Sequence, residues 1–439
     1  MSSAPDPWVV QQPVGPPEGL TRRASRALLR RVDAMFSAHG PAFRQLAISW
    51  SANVAGDALV AIALAGTLFF DVPSSDARGK VALYLLITLA PFAVIGPLLG
   101  RMFARYPGAY LAGLVVSGVL RAGTAVVMAF GLDTLWLYPL AFGMLVASRV
   151  YGISKNSLLP VALPQPVALV AANARLTRIG ILAGAVVVGP GIGALRLAGP
   201  WLPLTLSVVF YLVSSVTGLR VPTPGSVNRD RDLPPARVRY SPGLGALPRA
   251  LALSRLATAV VRLLNGFLLL LLAFAFKESD AGVLDFGALL GAAYLGFGLS
   301  SVLAPWLERR LREEPMVVSA LAVEAAAAFI AAQGFGLGAA AALAAAAGLA
   351  WGTAKFGFDG LPQQTVDPAW RGIAFTRAET LFQLAWVVGA TLPVAISIPT
   401  GLGLVLAGCA ALVAQVVLVS GLLVSVREPG APQRSRGAV

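Results

Sequence analysis

The 439-residue chain has one cysteine and one histidine. Cys409 alone excludes an intramolecular disulfide. His39 alone, in the amino-terminal arm, excludes an H-E-x-x-H metal site and leaves no material for a histidine triad. There is no G-x-S-x-G elbow for a nucleophilic serine and no G-x-x-x-x-G-K-[ST] loop to cradle nucleotide phosphates. The sequence therefore predicts no enzyme and calls for no cofactor or metal, and any energy source is an ion gradient rather than bound nucleotide. Charge is scarce too. Asp, Glu, Lys and Arg make up 12% of the chain, against about 25% in an ordinary soluble domain. With 57% hydrophobic residues and a mean hydropathy of +0.77, there is more apolar surface than a water-soluble fold of this length hides. Hydrocarbon is the solvent for most of it.

What is abundant is apolar sequence in long runs. About 20 such residues cross a bilayer core, and twelve runs qualify: 46–70, 81–103, 109–131, 135–158, 168–195, 201–220, 249–276, 283–306, 316–335, 337–358, 375–399 and 402–426. The fold class read from them is an all-α membrane protein, with twelve transmembrane helices in two six-helix pseudo-symmetric bundles. An Ala-rich stretch, Ala339 to Ala347, blurs the turn between spans nine and ten.

An even count puts both termini on one side, and Lys/Arg bias says which. Twenty-one basic residues flank the terminus side, whereas Arg78, Lys80, Arg196 and Lys277 lie across the membrane. Both termini are expected in the cytoplasm, with the chain in the cell (inner) membrane. The formal net charge of +14 belongs to these flanks, where it sets orientation and attracts anionic lipid headgroups. No nucleic-acid site is expected. Nothing before Arg44 has the apolar core of a cleavable signal, so span one is expected to direct insertion.

The organisation follows: a cytoplasmic arm (1–43), a six-helix bundle (44–220), a linker (221–247), a second bundle (248–426) and a tail (427–439). Leu20, Ala24, Leu28 and Val32 recur every four residues among arginines, which fits a basic helix on the inner leaflet or a solvated arm. The linker holds five prolines and four arginines and reads as a spacer. Across it the halves repeat. Tyr151-Gly152-Ile153-Ser154-Lys155 returns as Trp351-Gly352-Thr353-Ala354-Lys355, and Val115-Val116-Ser117 as Val317-Val318-Ser319. Tandem halves of this kind mark secondary transporters.

Six plus six spans around a basic loop resemble the major facilitator superfamily. Gly189-Pro190-Gly191-Ile192-Gly193 in span five is similar to the G-P-x-x-G element associated there with antiporters. Span one, from Ser51 through Gly56-Asp57-Ala58-Leu59, and the stretch Leu159-Pro160 to Ala171-Ala172-Asn173-Ala174 resemble the exporter branch that includes the enterobactin exporter and several multidrug efflux pumps. The superfamily's loop after span two is matched at Gly100 and Arg105, but Ala104 stands at its aspartate and Ala109 at a basic position. The resemblance implies alternating access, with spans one, four, seven and ten lining a central cavity. It further implies proton-coupled export of a small amphipathic compound by a monomer.

A charge inside a span costs about 2.5 to 3.5 kcal/mol, so each needs a partner or a task. Asp57 sits near mid-depth in span one; beside Arg149 of span four it is either a proton-coupling acid or half of a fixed pair. Asn53, Arg262 and Asn265 are candidate cargo ligands, the last two one turn apart on span seven, with helix packing as the alternative. Gly100, Arg101, Arg105, Lys155, Arg175, Arg178, Lys355, Asp359, Arg377 and Glu379 are candidate gating residues, with salt bridges forming and breaking between halves. Gly189, Pro190 and Gly193 are a candidate hinge, with ordinary helix packing as the alternative. Arg121 and Glu324, equivalently placed in spans three and nine, are read as structural.

Overall fold

The computed structural model describes residues 30–68, 109–131, 136–163, 169–221, 249–278, 283–311, 313–366 and 371–427. Span two, the linker and the loop carrying Gly100, Arg101 and Arg105 lie outside the described residues. Eleven long helices correspond to spans one and three to twelve. In the first half they are α1 (Pro41–Leu68), α2 (Ala109–Phe130), α3 (Leu137–Ala162), α4 (Leu169–Ala198) and α5 (Trp201–Gly218). In the second half they are α6 (Arg249–Glu278), α7 (Val283–Glu308), α8 (Glu313–Gln333), α9 (Leu337–Thr365), α10 (Arg371–Ala395) and α11 (Thr400–Arg427).

Ten of these are long and apolar enough to cross a membrane; α3 falls short because its carboxyl-terminal half is polar. Apolar side chains such as Val186, Leu295 and Val413 point outward, as they do when lipid is the neighbour. The uncertain turn between spans nine and ten resolves at Gly336, whose extended backbone caps α9. The Ala-rich stretch is therefore the first half of α9.

The helices alternate in direction. Ser49, near the start of α1, bonds to Tyr151 in the second half of α3 at 2.9 Å and to the Ser214 carbonyl near the end of α5 at 2.8 Å. Packing repeats between halves. α1 packs on α4 and α5 as α6 packs on α10 and α11, and α2 packs on α3 and α5 as α8 packs on α9 and α11. This is the two-bundle, pseudo-symmetric fold expected from the repeats. Each half has its own apolar core, and a smaller cluster joins Val170 and Ala174 of α4 to Ala304, Met316 and Phe356 of the second half.

Candidate functional site

Inside the first half, a charged network ties α1, α2 and α5. Arg121 of α2 is 2% exposed and pairs with the carboxylate of Asp57. The same guanidinium donates to Asn53 Oδ1 at 2.6 Å and to the Tyr211 hydroxyl at 3.0 Å, and lies 4.3 Å from the Tyr211 ring centre. The Tyr211 hydroxyl donates a hydrogen bond to Asp57 Oδ1 at 2.9 Å. Gly56 makes room, because a Cβ there would stand 2.7 Å from the Tyr211 ring. Asp57 keeps an open edge, 36% exposed.

The cation paired with Asp57 in the structure is Arg121, where the sequence reading placed Arg149. Asp57 lies on the face of α1 turned toward α2 and α5, and the cation on that side is Arg121. Arg149, on α3, instead lies within electrostatic reach of Glu379 and Arg262 in the other half.

That contact belongs to a second cluster, assembled across the interface. Lys355 on α9 holds Asp359 at 3.1 Å and Glu379 of α10 at 3.4 Å. Lys155 of α3 lies within electrostatic reach of the same two acids and rests 4.4 Å above the Trp50 ring of α1. Arg262 of α6 covers the Trp351 ring at 4.3 Å and approaches Trp386 at 5.9 Å. Arg149, Lys155, Arg262 and Lys355 thus gather around Asp359 and Glu379, among three indole rings. The helices concerned are the first, fourth, seventh, tenth and eleventh spans.

Nearer the terminus side, polar and apolar contacts join the halves. Asn173 of α4 donates to Gln363 Oε1 at 3.0 Å, and Gln363 donates to the Asn156 carbonyl at 2.9 Å. The Ala171 amide at the start of α4 donates to Glu308 Oε2 at 3.1 Å. The apolar cluster of Val170, Ala174, Ala304, Met316 and Phe356 fills the space beside these bonds.

Of the sequence-predicted residues, Lys155, Lys355, Asp359 and Glu379 come together. Arg175 and Arg178 sit on α4 within reach of each other, with His39 beside Arg175, while Arg377 is exposed. Asn53 and Asn265 have their amides committed inside their own halves, Asn53 to Arg121 and Asp57, and Asn265 to Glu324 at 2.7 Å. Arg262 alone of the candidate cargo ligands reaches the interface. The glycine element divides: a Cβ on Gly191 would meet Leu59 and Ile62 of α1 within 3 Å, whereas Gly189 and Gly193 have open space. Sequence reading missed Trp50, Asn156, Gln363 and Glu308, whose signal was only that polar or indole side chains recur at span ends. Among the described residues no three His, Cys, Asp or Glu side chains stand together as metal ligands.

No family model matches the chain. It is 29% identical over 384 residues to an uncharacterized protein of Mycobacterium leprae, ML2143, covering 79% of this chain and 66% of that one. It is 34% identical over 285 residues to Rv0876c of Mycobacterium tuberculosis, covering 56% of this chain. The chain thus spans about two thirds of the first relative and 50% of the second. Among solved structures it is similar to a bacterial homologue of the iron transporter ferroportin in an outward-facing state, with TM-score 0.65 and 18% identity over 87% of this chain and 100% of that one. It is also similar to the E. coli fucose:proton symporter, with TM-score 0.60 and 15% identity over 86% and 97%. A third is the human organic anion transporter MFSD10, with TM-score 0.58 and 14% identity over 85% and 98%. The chain shares its fold with these three transporters.

Proposed function

We propose that the chain is a secondary transporter of the cell membrane, expelling a small amphipathic organic compound, drug-like or siderophore-like, in exchange for protons. The observation that carries this reading is the cluster across the interface: four cations and two acids on helices of both halves, among Trp50, Trp351 and Trp386. Its positive excess suits an anionic or zwitterionic head, and its indoles suit the apolar part of the same molecule. Ion pairs and cation–π contacts at an interface exchange partners when the halves rock, whereas those inside a packed half do not.

The contacts joining the halves lie on the side taken as cytoplasmic, as an outward-facing arrangement requires. Asp57 is the coupling acid of the proposal. Its open edge receives a proton while Arg121 stays buried, and protonation ends the ion pair that fixes α1 to α2. The burial of Arg121 favours a second reading, in which that pair never opens. The scaffold then works without protons, as an importer, facilitator or lipid flippase, or as a non-transporting sensor.

Purified protein in liposomes with a trapped pH dye, offered anionic and cationic amphipathic dyes, separates them. Anionic-dye-dependent proton movement that Asp57→Asn abolishes, in protein eluting as the wild type, supports coupled export. Dye movement without protons supports the second reading, and proton movement unchanged by Asp57→Asn removes Asp57 from the coupling role. A deletion strain screened against dyes, antibiotics and siderophores narrows the cargo.

A further inference from the structure

The two halves treat their innermost charge differently. In each, an asparagine on the first helix donates or accepts a hydrogen bond with a buried ionisable residue on the third: Asn53 with Arg121, and Asn265 with Glu324. In the first half the residue four positions after the asparagine is Asp57, which neutralises Arg121. Four positions after Asn265 stands Leu269.

Glu324 is 1% exposed. Its Oε1 accepts from Asn265 Nδ2 at 2.7 Å, and its buried Oε2 has no hydrogen-bond partner among the described residues. The helices packed on α8 supply no cation. On α6, Arg255 and Lys277 stand ten and twelve residues from Asn265 in sequence, about 15 and 18 Å along the helix, and Arg262 is spent on Trp351 and Glu379. On α9, Lys355 is held by Asp359 and Glu379. α11 has no charged residue before Arg427, and α7 brings only the acids Asp285 and Glu308. A carboxylate so placed has nothing to offset the loss of its hydration.

We propose that Glu324 is a proton-binding site: at neutral pH it is a carboxylic acid, its carbonyl oxygen bonded to Asn265 and its hydroxyl on the side of Oε2. The proton occupies the place in the second half that the Arg121–Asp57 pair occupies in the first. This inference goes beyond the transport reading and holds whether or not the chain moves a cargo.

Infrared difference spectroscopy of the full chain in lipid bilayers, wild type against Glu324→Gln at neutral pH, tests it. The expected result is loss of one protonated-acid carbonyl band that shifts in deuterated water, without loss of carboxylate bands. Asp57→Asn leaves that band in place. Asn265→Leu moves it to higher wavenumber, because the carbonyl loses its donor, and this variant carries the test if Glu324→Gln does not fold. Absence of an acid band from the wild type, loss of carboxylate bands in Glu324→Gln, or an Asn265→Leu spectrum without the shift overturns the proposal. The readout requires no transport, so it stands or falls apart from the liposome assay.

Discussion

Arg121 and Asp57 are unequal partners, and the inequality fixes what happens when each is removed. Asp57→Asn strands a cation that is 2% exposed, whereas Arg121→Leu strands a carboxylate with an open edge. Breaking a buried pair costs about 3 to 5 kcal/mol, and the first variant is expected near the low end of that range because Asp57 is partly solvated. Arg121→Leu is expected to lose less, and the double variant to recover most of the loss. Thermal unfolding in one detergent checks the order, and equal losses from the two single variants would contradict it.

His39, just before α1, adds a pH dependence. Burial first, and Arg175 second, hold its imidazole below the usual 6.5. Its contribution to stability is then fully present above pH 6.5 and is lost as pH falls from there through the folded value, because the unfolded chain binds the proton first. Stability is expected to drop between pH 7 and pH 5, with a shallower slope in His39→Gln. At this scale the sequence was least legible. Asp57 stood out as a lone acid in a span, but its partner depended on which face of α1 meets α2. A one-dimensional pattern with weak amphipathicity leaves that face open when lipid and protein are both apolar.

Helices were the most legible part, because the need to satisfy every backbone group in hydrocarbon leaves runs of 20 apolar residues few alternatives. The run from 109 to 131 became Ala109–Phe130, and that from 249 to 276 became Arg249–Glu278. The glycines within them were less legible, since spacing says nothing of what lies opposite. Gly191 is packed against Leu59 and Ile62, while Gly189 and Gly193 face open space. Gly191→Leu is therefore expected to destabilise by about 1 to 3 kcal/mol through overpacking of α1 against α4. Gly189→Ala and Gly193→Ala are expected to leave the unfolding midpoint within about 1 °C. If either then slows dye movement in liposomes, the effect is conformational, which is the hinge role read from the G-P-x-x-G element. Equal destabilisation by all three would reduce that element to helix packing.

For the whole molecule, the repeats announced two halves, but the surface between them was silent: Asn156, Asn173 and Gln363 are ordinary amides until folding sets them opposite each other. Gln363 bridges the halves with two hydrogen bonds, one accepted from Asn173 and one donated to Asn156. Each is worth about 0.5 to 1.5 kcal/mol net. Replacing Gln363 by Leu removes both, and Asn173→Ala in the same chain avoids leaving a buried amide unsatisfied. The closed arrangement then loses about 2 kcal/mol relative to any arrangement in which the halves part on this side, roughly a thirtyfold change in their ratio. Ala174 is the place to read it, because it is 0% exposed and is enclosed by Ala304, Met316 and Phe356 of the other half. In a Cys409→Ser background, Ala174→Cys is expected to react slowly with a water-soluble maleimide, and several-fold faster once Gln363→Leu and Asn173→Ala are added. Unfolding midpoints that stay close to the parent's would assign the gain to parting of the halves rather than to loosening of either core. An unchanged labelling rate would mean that the apolar cluster alone holds this side shut, and that the amide bridge sets register rather than the balance between states.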